Sequence, residues 1–257
     1  MQLSVYLITK NEEARLAKTL SQAAKVADEI LIVDSGSTDN TLAIAKEFGA
    51  KTLHHDWFSY CDQKYFAEQQ CTHDWVLMLD ADEVLSDELV NEINQLKASH
   101  PPYNAYKLKI VNMFPQDEKP RRFAHTFTPV RLYNRKFASM PKDLYNKDRV
   151  KVTEGEKIGR LKNHIHHFCI LTLEQATKKY NIHSSELVKT LAAEKRKVSK
   201  LRIFTEFPRQ FLHYYFGKRY FLLGTQGYIQ ALVLANFRFL KIAKYYEFTE
   251  LNKKDKN

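Results

Sequence analysis

W-V-L-M-L-D-A-D-E, residues 75–83, runs four apolar side chains (Val76, Leu77, Met78, Leu79) straight into Asp80, Asp82 and Glu83. A short continuous apolar run fits a strand buried on both faces of a parallel sheet. Three carboxylates at its carboxyl end do not belong in that core, because burying an unpaired charge costs more than a short strand recovers. They are expected at the sheet edge, where open α/β folds bind ligands. Carboxylate oxygens suit a hard divalent cation, and such a cation can hold a diphosphate. The same residues also read as a loop leading into a helix, with Ser86 as N-cap and Asp87 and Glu88 in the first turn. An isolated D-x-D does not separate the two readings.

The segments upstream do more. Leu3–Ile8 is apolar and β-prone, and Asn11 is placed to cap a helix whose first turn holds Glu12 and Glu13. Glu29–Val33 is a second buried-strand candidate that ends in Asp34-Ser35-Gly36-Ser37-Thr38-Asp39, with Ser37 or Thr38 as cap for a helix over Thr41–Phe48 and Gly49 as its stop. Lys51–Leu53 reads as a brief strand and Tyr60–Gln70 as a helix. Strand and helix alternating at this spacing predict a parallel sheet with helices on both faces. The ends of the first, second and fourth strands then share one edge, so three polar clusters converge on one cleft. No G-x-G-x-x-G follows the first strand, so a dinucleotide site is unsupported.

Downstream, Ser86–Leu96 reads as a helix, Ala105–Val111 and Val130–Tyr133 as strands, and the rest of 101–141 as loop. Asn163-His164-Ile165-His166-His167 reads equally as a metal cluster or as a partly exposed strand. From Thr172 the chain is helical: Leu173–Arg196 is amphipathic, aromatic and basic residues interleave over 202–221, and Gly224 and Gly227 break the run. A last helix carries Tyr228, Leu232, Ala235, Phe239, Ile242 and Tyr246 as an apolar stripe, with Arg238, Lys241 and Lys244 off it. Such helices suit a cap on the catalytic core, a membrane interface, or both.

The 257 residues are enough for one good core and a smaller appendage. The formal charge of +10 is uneven: residues 1–150 hold 19 basic and 21 acidic side chains, residues 151–257 hold 21 and 9. A polyanionic partner should therefore meet the second part. Cys61, Cys71 and Cys169 are too few and scattered for a disulfide framework or a zinc site. The amino terminus reads as a strand rather than a signal peptide, and no run of apolar residues is long enough to predict a spanning helix.

Together the motifs resemble a family 2 glycosyltransferase of the GT-A fold. The resemblance rests on N-E-E at 11–13, V-D-S-G-S-T-D-N-T at 33–41, Q-K at 63–64 and D-W-V-L-M-L-D-A-D-E at 74–83. G-x-x-G-Y at 224–228 and F-L-K-I-A-K-Y-Y-E at 239–247 are similar to the carboxyl-terminal signature of the branch that holds the lipopolysaccharide core β-1,4-glucosyltransferases of Gram-negative bacteria. The resemblance covers nearly the whole chain. It implies an α/β architecture: a GT-A (Rossmann-like), mostly parallel sheet flanked by helices over residues 1–170, and a basic, aromatic-rich helical extension over 171–257 facing the acceptor or the membrane.

It also implies an inverting, metal-dependent transfer from a UDP-sugar. The nucleotide-sugar residues would be Thr9, Asn11, Glu12, Glu13, Asp34, Ser35, Gly36, Lys64, Asp80 and Ala81. Asp34 would meet the uracil, Lys64 the base or phosphates, and Asp80 the ribose. Asp82 would bind Mg²⁺ or Mn²⁺, with His167, which precedes Phe168, as a further ligand or diphosphate contact. His164 and His166 have no such support. The general base of the branch, a glutamate in V-H-E, is matched by Asp148 in Asn146-Lys147-Asp148, a departure that shortens the acid and sets a lysine beside it; Asp143 is the reserve. The implied acceptor is a lipid-linked oligosaccharide, a lipopolysaccharide core heptose, with cytoplasmic work at an anionic inner-membrane surface. Transfer to another polysaccharide or to a peptide would use the same donor pocket. A basic module gripping nucleic acid through residues 195–244, with aromatics between Lys and Arg, would leave the three carboxylate clusters without a role, and a scaffold that had lost catalysis should lack a metal carboxylate.

Overall fold

The computed structural model describes residues 1–142, 149–168, 172–193 and 198–254. The chain forms two compact units, Met1–Met113 with His125–Cys169, and Phe114–Ala124 with Ile170–Asn257.

The first unit alternates strand and helix as its apolar spacing dictates: β1 (Leu3–Thr9), α1 (Glu13–Ala23), β2 (Glu29–Asp34), α2 (Thr41–Glu47), β3 (Lys51–His54), α3 (Tyr60–Gln70) and β4 (Trp75–Asp80). Then come β5 (Glu83–Leu85), α4 (Asp87–Ala98), β6 (Ala105–Asn112), β7 (Thr126–Phe127), β8 (Val130–Asn134), β9 (Ala138–Ser139), β10 (Lys151–Val152) and β11 (Ile158–His167). Among the described residues the main sheet runs in the order β3-β2-β1-β4-β8-β6-β11-β5, with β7 beside β6. The first four strands are parallel, β8 enters antiparallel between β4 and β6, and β11 lies parallel to β6. This α/β architecture is the one the resemblance led us to expect.

Side chains alternate across the sheet. Leu3, Val5 and Leu7 of β1 pack with Leu16 and Leu20 of α1 and with Leu89 and Ile93 of α4. Tyr6, Leu31, Val33, Val76 and Met78 face the opposite way, onto Ala67 of α3. Burial on both faces explains why these strands read as continuous apolar runs. Ser86 caps α4 by accepting from the Leu89 N–H, so the helix and cap of the second reading are present, but strand β5 rather than a loop leads from Glu83 into them.

Three sequence expectations about caps and charges need correction. Asn11 does not cap α1. Its φ is +54°, and its Oδ1 accepts from the Thr38 N–H at 2.8 Å, while Glu12 takes the N-cap position. Neither Ser37 nor Thr38 caps α2: Asn40 holds that position, and Asp39 Oδ1 accepts from the Thr41 N–H at 3.0 Å. Glu83 was expected outside the core, yet it is fully buried. The physical condition is met another way, because Arg131 pairs with it at 2.7 Å.

The second unit holds α5 (Leu173–Ala193), α6 (Lys200–Leu212), a π-helical turn His213–Gly217, a 3-10 turn Tyr220–Leu223 and α7 (Gly224–Lys254). Gly224, at φ +64°, opens α7, but Gly227 lies inside the helix and does not break it. A Cβ there would stand 1.9 Å from the Tyr220 carbonyl oxygen, so the residue serves a close backbone approach. The buried side chains of α7 include Ala235 and Ile242 of the expected stripe, together with Ala231 and Tyr245, which lie off it, while Tyr228 of the stripe is exposed. Nor is Lys244 free of contacts: its Nζ donates to the Asn181 carbonyl at 2.8 Å and to Ser184 Oγ at 2.8 Å on α5.

Gly227→Ala should destabilise this unit by about 1–3 kcal/mol, since backbone cannot move aside as a flexible side chain can. The loss of helical circular dichroism on heating checks it. An unchanged transition would show that the turn yields without cost.

Candidate active site

Parallel pairing fixes which residues share an edge. Thr9 lies beside Asp34 across β1 and β2, and Ile8 lies beside Asp80 across β1 and β4. The Asp34 turn and the D-A-D-E segment therefore leave the sheet side by side, together with Lys10–Glu13.

Asp34 is built into its own turn. Its Oδ1 accepts from Thr9 Oγ1 at 2.9 Å and Ser37 Oγ at 2.5 Å, and its Oδ2 from the Gly36 and Ser37 N–H groups at 2.8 and 2.7 Å. Gly36 at φ +92° allows the turn. Burial opposes ionisation of Asp34, but these bonds, led by Ser37, outweigh it and hold the carboxyl below its ordinary range. Ser35 Oγ donates to the Thr9 carbonyl at 3.3 Å. The N-E-E loop laces onto the same turn: Glu12 N–H donates to Thr41 Oγ1 at 2.8 Å, Glu13 N–H to Asp39 Oδ2 at 3.2 Å, and Glu13 Oε2 accepts from the Asn40 N–H at 3.0 Å.

The two aspartates of D-x-D have different surroundings. Asp80 Oδ1 meets Lys64 Nζ at 2.7 Å, and Oδ2 meets an Arg131 nitrogen at 3.0 Å. Lys64 is almost wholly buried; its ammonium is engaged with Asp80. Burial alone would raise Asp80, yet the Lys64 and Arg131 charges hold it far below the carboxylate range. Glu83, in contact with Arg131 and with the Asp80 N–H, is pushed up to about 7 by its complete burial, with Asp80 adding to the push.

Asp82 stands apart from that cluster. Its Oδ1 is 3.4 Å from His167 Nε2, and its Oδ2 is 3.3 Å from an Arg15 nitrogen. His167 Nδ1 is 3.1 Å from Asn112 Oδ1. An amide oxygen only accepts, so Nδ1 carries a proton and Nε2 is turned toward Asp82. Burial works against each charge, but the pair holds Asp82 low and His167 high. Ala81 contributes its carbonyl, which accepts from Thr19 Oγ1 at 2.8 Å and anchors the loop to α1. Among the described residues no three His, Cys, Asp or Glu side chains form a metal group. Asp82 and His167 offer one oxygen and one imidazole nitrogen, a set that fits a divalent cation whose other ligands come from a diphosphate.

The structure thus brings together Thr9, Asn11, Glu12, Glu13, Asp34, Ser35 and Gly36 in one laced turn, Lys64 with Asp80, and Asp82 with His167. His164 and His166 pair with each other, Nε2 to Nε2 at 3.0 Å. Burial, the neighbouring His164 and Lys18 push His166 down to about 4. Asp148 and Asp143 lie outside the described residues.

Sequence reasoning missed Arg15, Arg131 and Asn112. Arg131 had a signal: it is a charge between Val130 and Leu132 in a strand that is otherwise apolar where it packs. Arg15 had none beyond its place three residues after Glu12, whose carboxylate it also holds.

The chain belongs to glycosyl transferase family 2, whose family model matches residues 4–153. It is an enzyme of that class, a glycosyltransferase. An uncharacterized glycosyltransferase of Rickettsia felis is 40% identical over 257 residues, covering 96% of this chain and 90% of its own. The lipopolysaccharide core biosynthesis glycosyltransferase LpsC of Rhizobium meliloti is 29% identical, over 96% of this chain and 93% of its own. Among solved structures, residues 1–349 of S. aureus TarS align over 99% of this chain and 92% of that one, at 16% identity and a TM-score of 0.47.

Proposed function

We propose that this glycosyltransferase is inverting and metal-dependent, and that it moves a hexose, glucose from UDP-glucose, onto a heptose of the lipid-linked lipopolysaccharide inner core. The observation that carries the donor half is the shared sheet edge: a saturated Asp34 turn lies beside a D-x-D whose second aspartate faces an imidazole at 3.4 Å.

On this reading Thr9, Ser35 and Gly36 surround the uracil. Asp34 would meet the imide by giving up the Ser37 hydroxyl as a donor, the imide N–H taking its place. Asp80, fixed by Lys64 and Arg131, would stand toward the ribose. Asp82 and His167 would hold Mg²⁺ or Mn²⁺. Such a cation neutralises a diphosphate and the charge that builds on leaving UDP. Asp148, with Asp143 in reserve, would take the proton from the acceptor hydroxyl.

The acceptor half rests on the name of the Rhizobium meliloti relative and on the second unit. Between Phe207 and Tyr246 there is no Asp or Glu, while Arg209, Lys218, Arg219, Arg238, Lys241 and Lys244 fall within it. Phe204, Phe216 and Phe221 are exposed. Rings and cations together suit an anionic lipid surface and a phosphorylated acceptor on the cytoplasmic face of the inner membrane. Among the described residues no helix is long and apolar enough to cross a membrane, so the contact proposed is peripheral.

Calorimetry with a panel of UDP-sugars, in Mn²⁺ and in EDTA, tests the donor. UDP-glucose should bind with Mn²⁺ and be largely lost in EDTA. Mass spectrometry of heptose, polysaccharide and peptide acceptors after incubation with the preferred donor then tests the acceptor. Failure of every UDP-sugar to bind would remove the donor assignment, and transfer to peptide or polysaccharide alone would remove the core heptose.

A further inference from the structure

The connection from β3 to α3 exposes three large aromatic side chains within four residues: Trp57 at 45%, Phe58 at 65% and Tyr60 at 57%. None of them has a part in the site described above. Exposed rings clustered in this way favour an apolar or aromatic partner.

The loop that carries them is not loose. His55 N–H donates to the Asp34 carbonyl at 3.0 Å, and His54 is the register partner of Asp34. The His55 ring stacks on Phe66 with centroids 4.1 Å apart. Its Nε2 lies 2.9 Å from Asp62. Gln63 Nε2 donates to the His55 and Asp56 carbonyls, both at 2.8 Å, and Ser59 Oγ caps α3 by accepting from the Asp62 N–H. Trp57 and Tyr60 meet edge to face at 4.8 Å. A rooted loop therefore holds the Trp57 ring exposed two residues beyond His55, whose N–H bonds the Asp34 carbonyl. It leaves the sheet on the edge where that turn lies.

We propose that Trp57, supported by Tyr60, gives the donor nucleotide a stacking face for its pyrimidine base. The proposal rests on the reading of this edge as a UDP-sugar site. Any base presents a π face to an aromatic ring, and such stacking strengthens binding without selecting among hydrogen bonds. Selection would remain with the Asp34 turn. An anionic lipid surface fits this loop poorly. No Lys or Arg occurs between Lys51 and Lys64, whereas Asp56 and Asp62 do.

The chain has two tryptophans, so Trp75→Phe leaves Trp57 as the fluorophore. In that variant UMP should change Trp57 emission saturably, and magnesium pyrophosphate should not. By calorimetry Trp57→Ala should weaken UMP about tenfold or more, and Trp57→Phe should recover most of the loss. Pyrophosphate affinity should be unchanged in both, and circular dichroism should match wild type. Unaltered UMP affinity in Trp57→Ala would overturn the proposal, as would an equal loss for pyrophosphate. So would emission that answers to phosphatidylglycerol vesicles and not to UMP. If wild type binds UDP while Trp57 is silent, the stacking face fails and the donor site stands. If wild type binds neither UMP nor UDP, both fail.

Discussion

Asp82→Asn should cut kcat/KM on the order of 10²–10³-fold and abolish the metal-dependent part of UDP binding, while the fold survives. Asparagine has nearly the shape of aspartate and can still accept from Arg15 and face His167. What it lacks is charge. Asp82 is nine-tenths buried, so little water screens its interaction with a cation, and removing that charge has a large effect. Asp80→Asn, two residues away, should behave differently. Both Asp80 oxygens are engaged with buried cations, so its neutralisation removes a negative charge that Lys64 and Arg131 both face and should lower the unfolding midpoint first. Calorimetry of Mn²⁺ with UDP, beside thermal melts, separates the two aspartates. Equal loss of stability in both variants, with metal-dependent UDP binding kept in Asp82→Asn, would refute the division of labour.

The sheet edge was legible because its physics is local. Apolar runs that stop at Asp34 and Asp80 declare strands that leave a core at a carboxylate, and α3 follows Tyr60–Gln70 as read, since a serine cap and the next apolar run bound it. The partners of those carboxylates were not legible. Arg131 reaches Asp80 and Glu83 from more than forty residues away, through a strand that enters antiparallel after a loop-like stretch. Arg15 reaches Asp82 from the first helix. Nothing in the spacing of one segment encodes a charge pair made by another. Gly227 shows the same limit from the other side. A glycine in a polar-aromatic run reads as a breaker, and only the 1.9 Å approach to the Tyr220 carbonyl shows that the helix continues and needs the missing side chain. The packed face of α7 was legible only in part for a related reason: Ala235 and Ile242 of the expected stripe are buried, but Tyr228 is exposed, and the small Ala231, which lets helices approach, carries little apolar signal of its own.

Arg131→Met should cost about 3–5 kcal/mol of stability at pH 8, the usual penalty for breaking a buried ion pair by removing one partner. The arginine is 5% exposed and serves two carboxylates, Glu83 at 2.7 Å and Asp80 at 3.0 Å. Methionine fills much of its volume, so the loss would be electrostatic rather than a cavity. The double variant Arg131→Met with Glu83→Gln should recover a large part of it, because an uncharged pair needs no cation. The pH dependence has a definite sign. Glu83 already titrates at about 7 rather than at its ordinary 4.5. Folding therefore takes up a proton there, and this residue's contribution is full below 4.5 and lost as pH rises through about 7. Without the guanidinium its carboxyl moves higher still. The single variant should regain stability relative to wild type between pH 8 and pH 5, and the Glu83→Gln background should not. Urea unfolding followed by tryptophan emission reads this unit, since Trp57 and Trp75 both lie in it. A loss under about 1 kcal/mol, or a double variant no better than the single, would mean that the carboxylates are not held by Arg131. The stake is the D-x-D itself. An ionised Asp80 can stand at the end of a buried strand because β8 returns through the sheet with a cation, so the second half of the sheet is what makes the first half's charge tolerable.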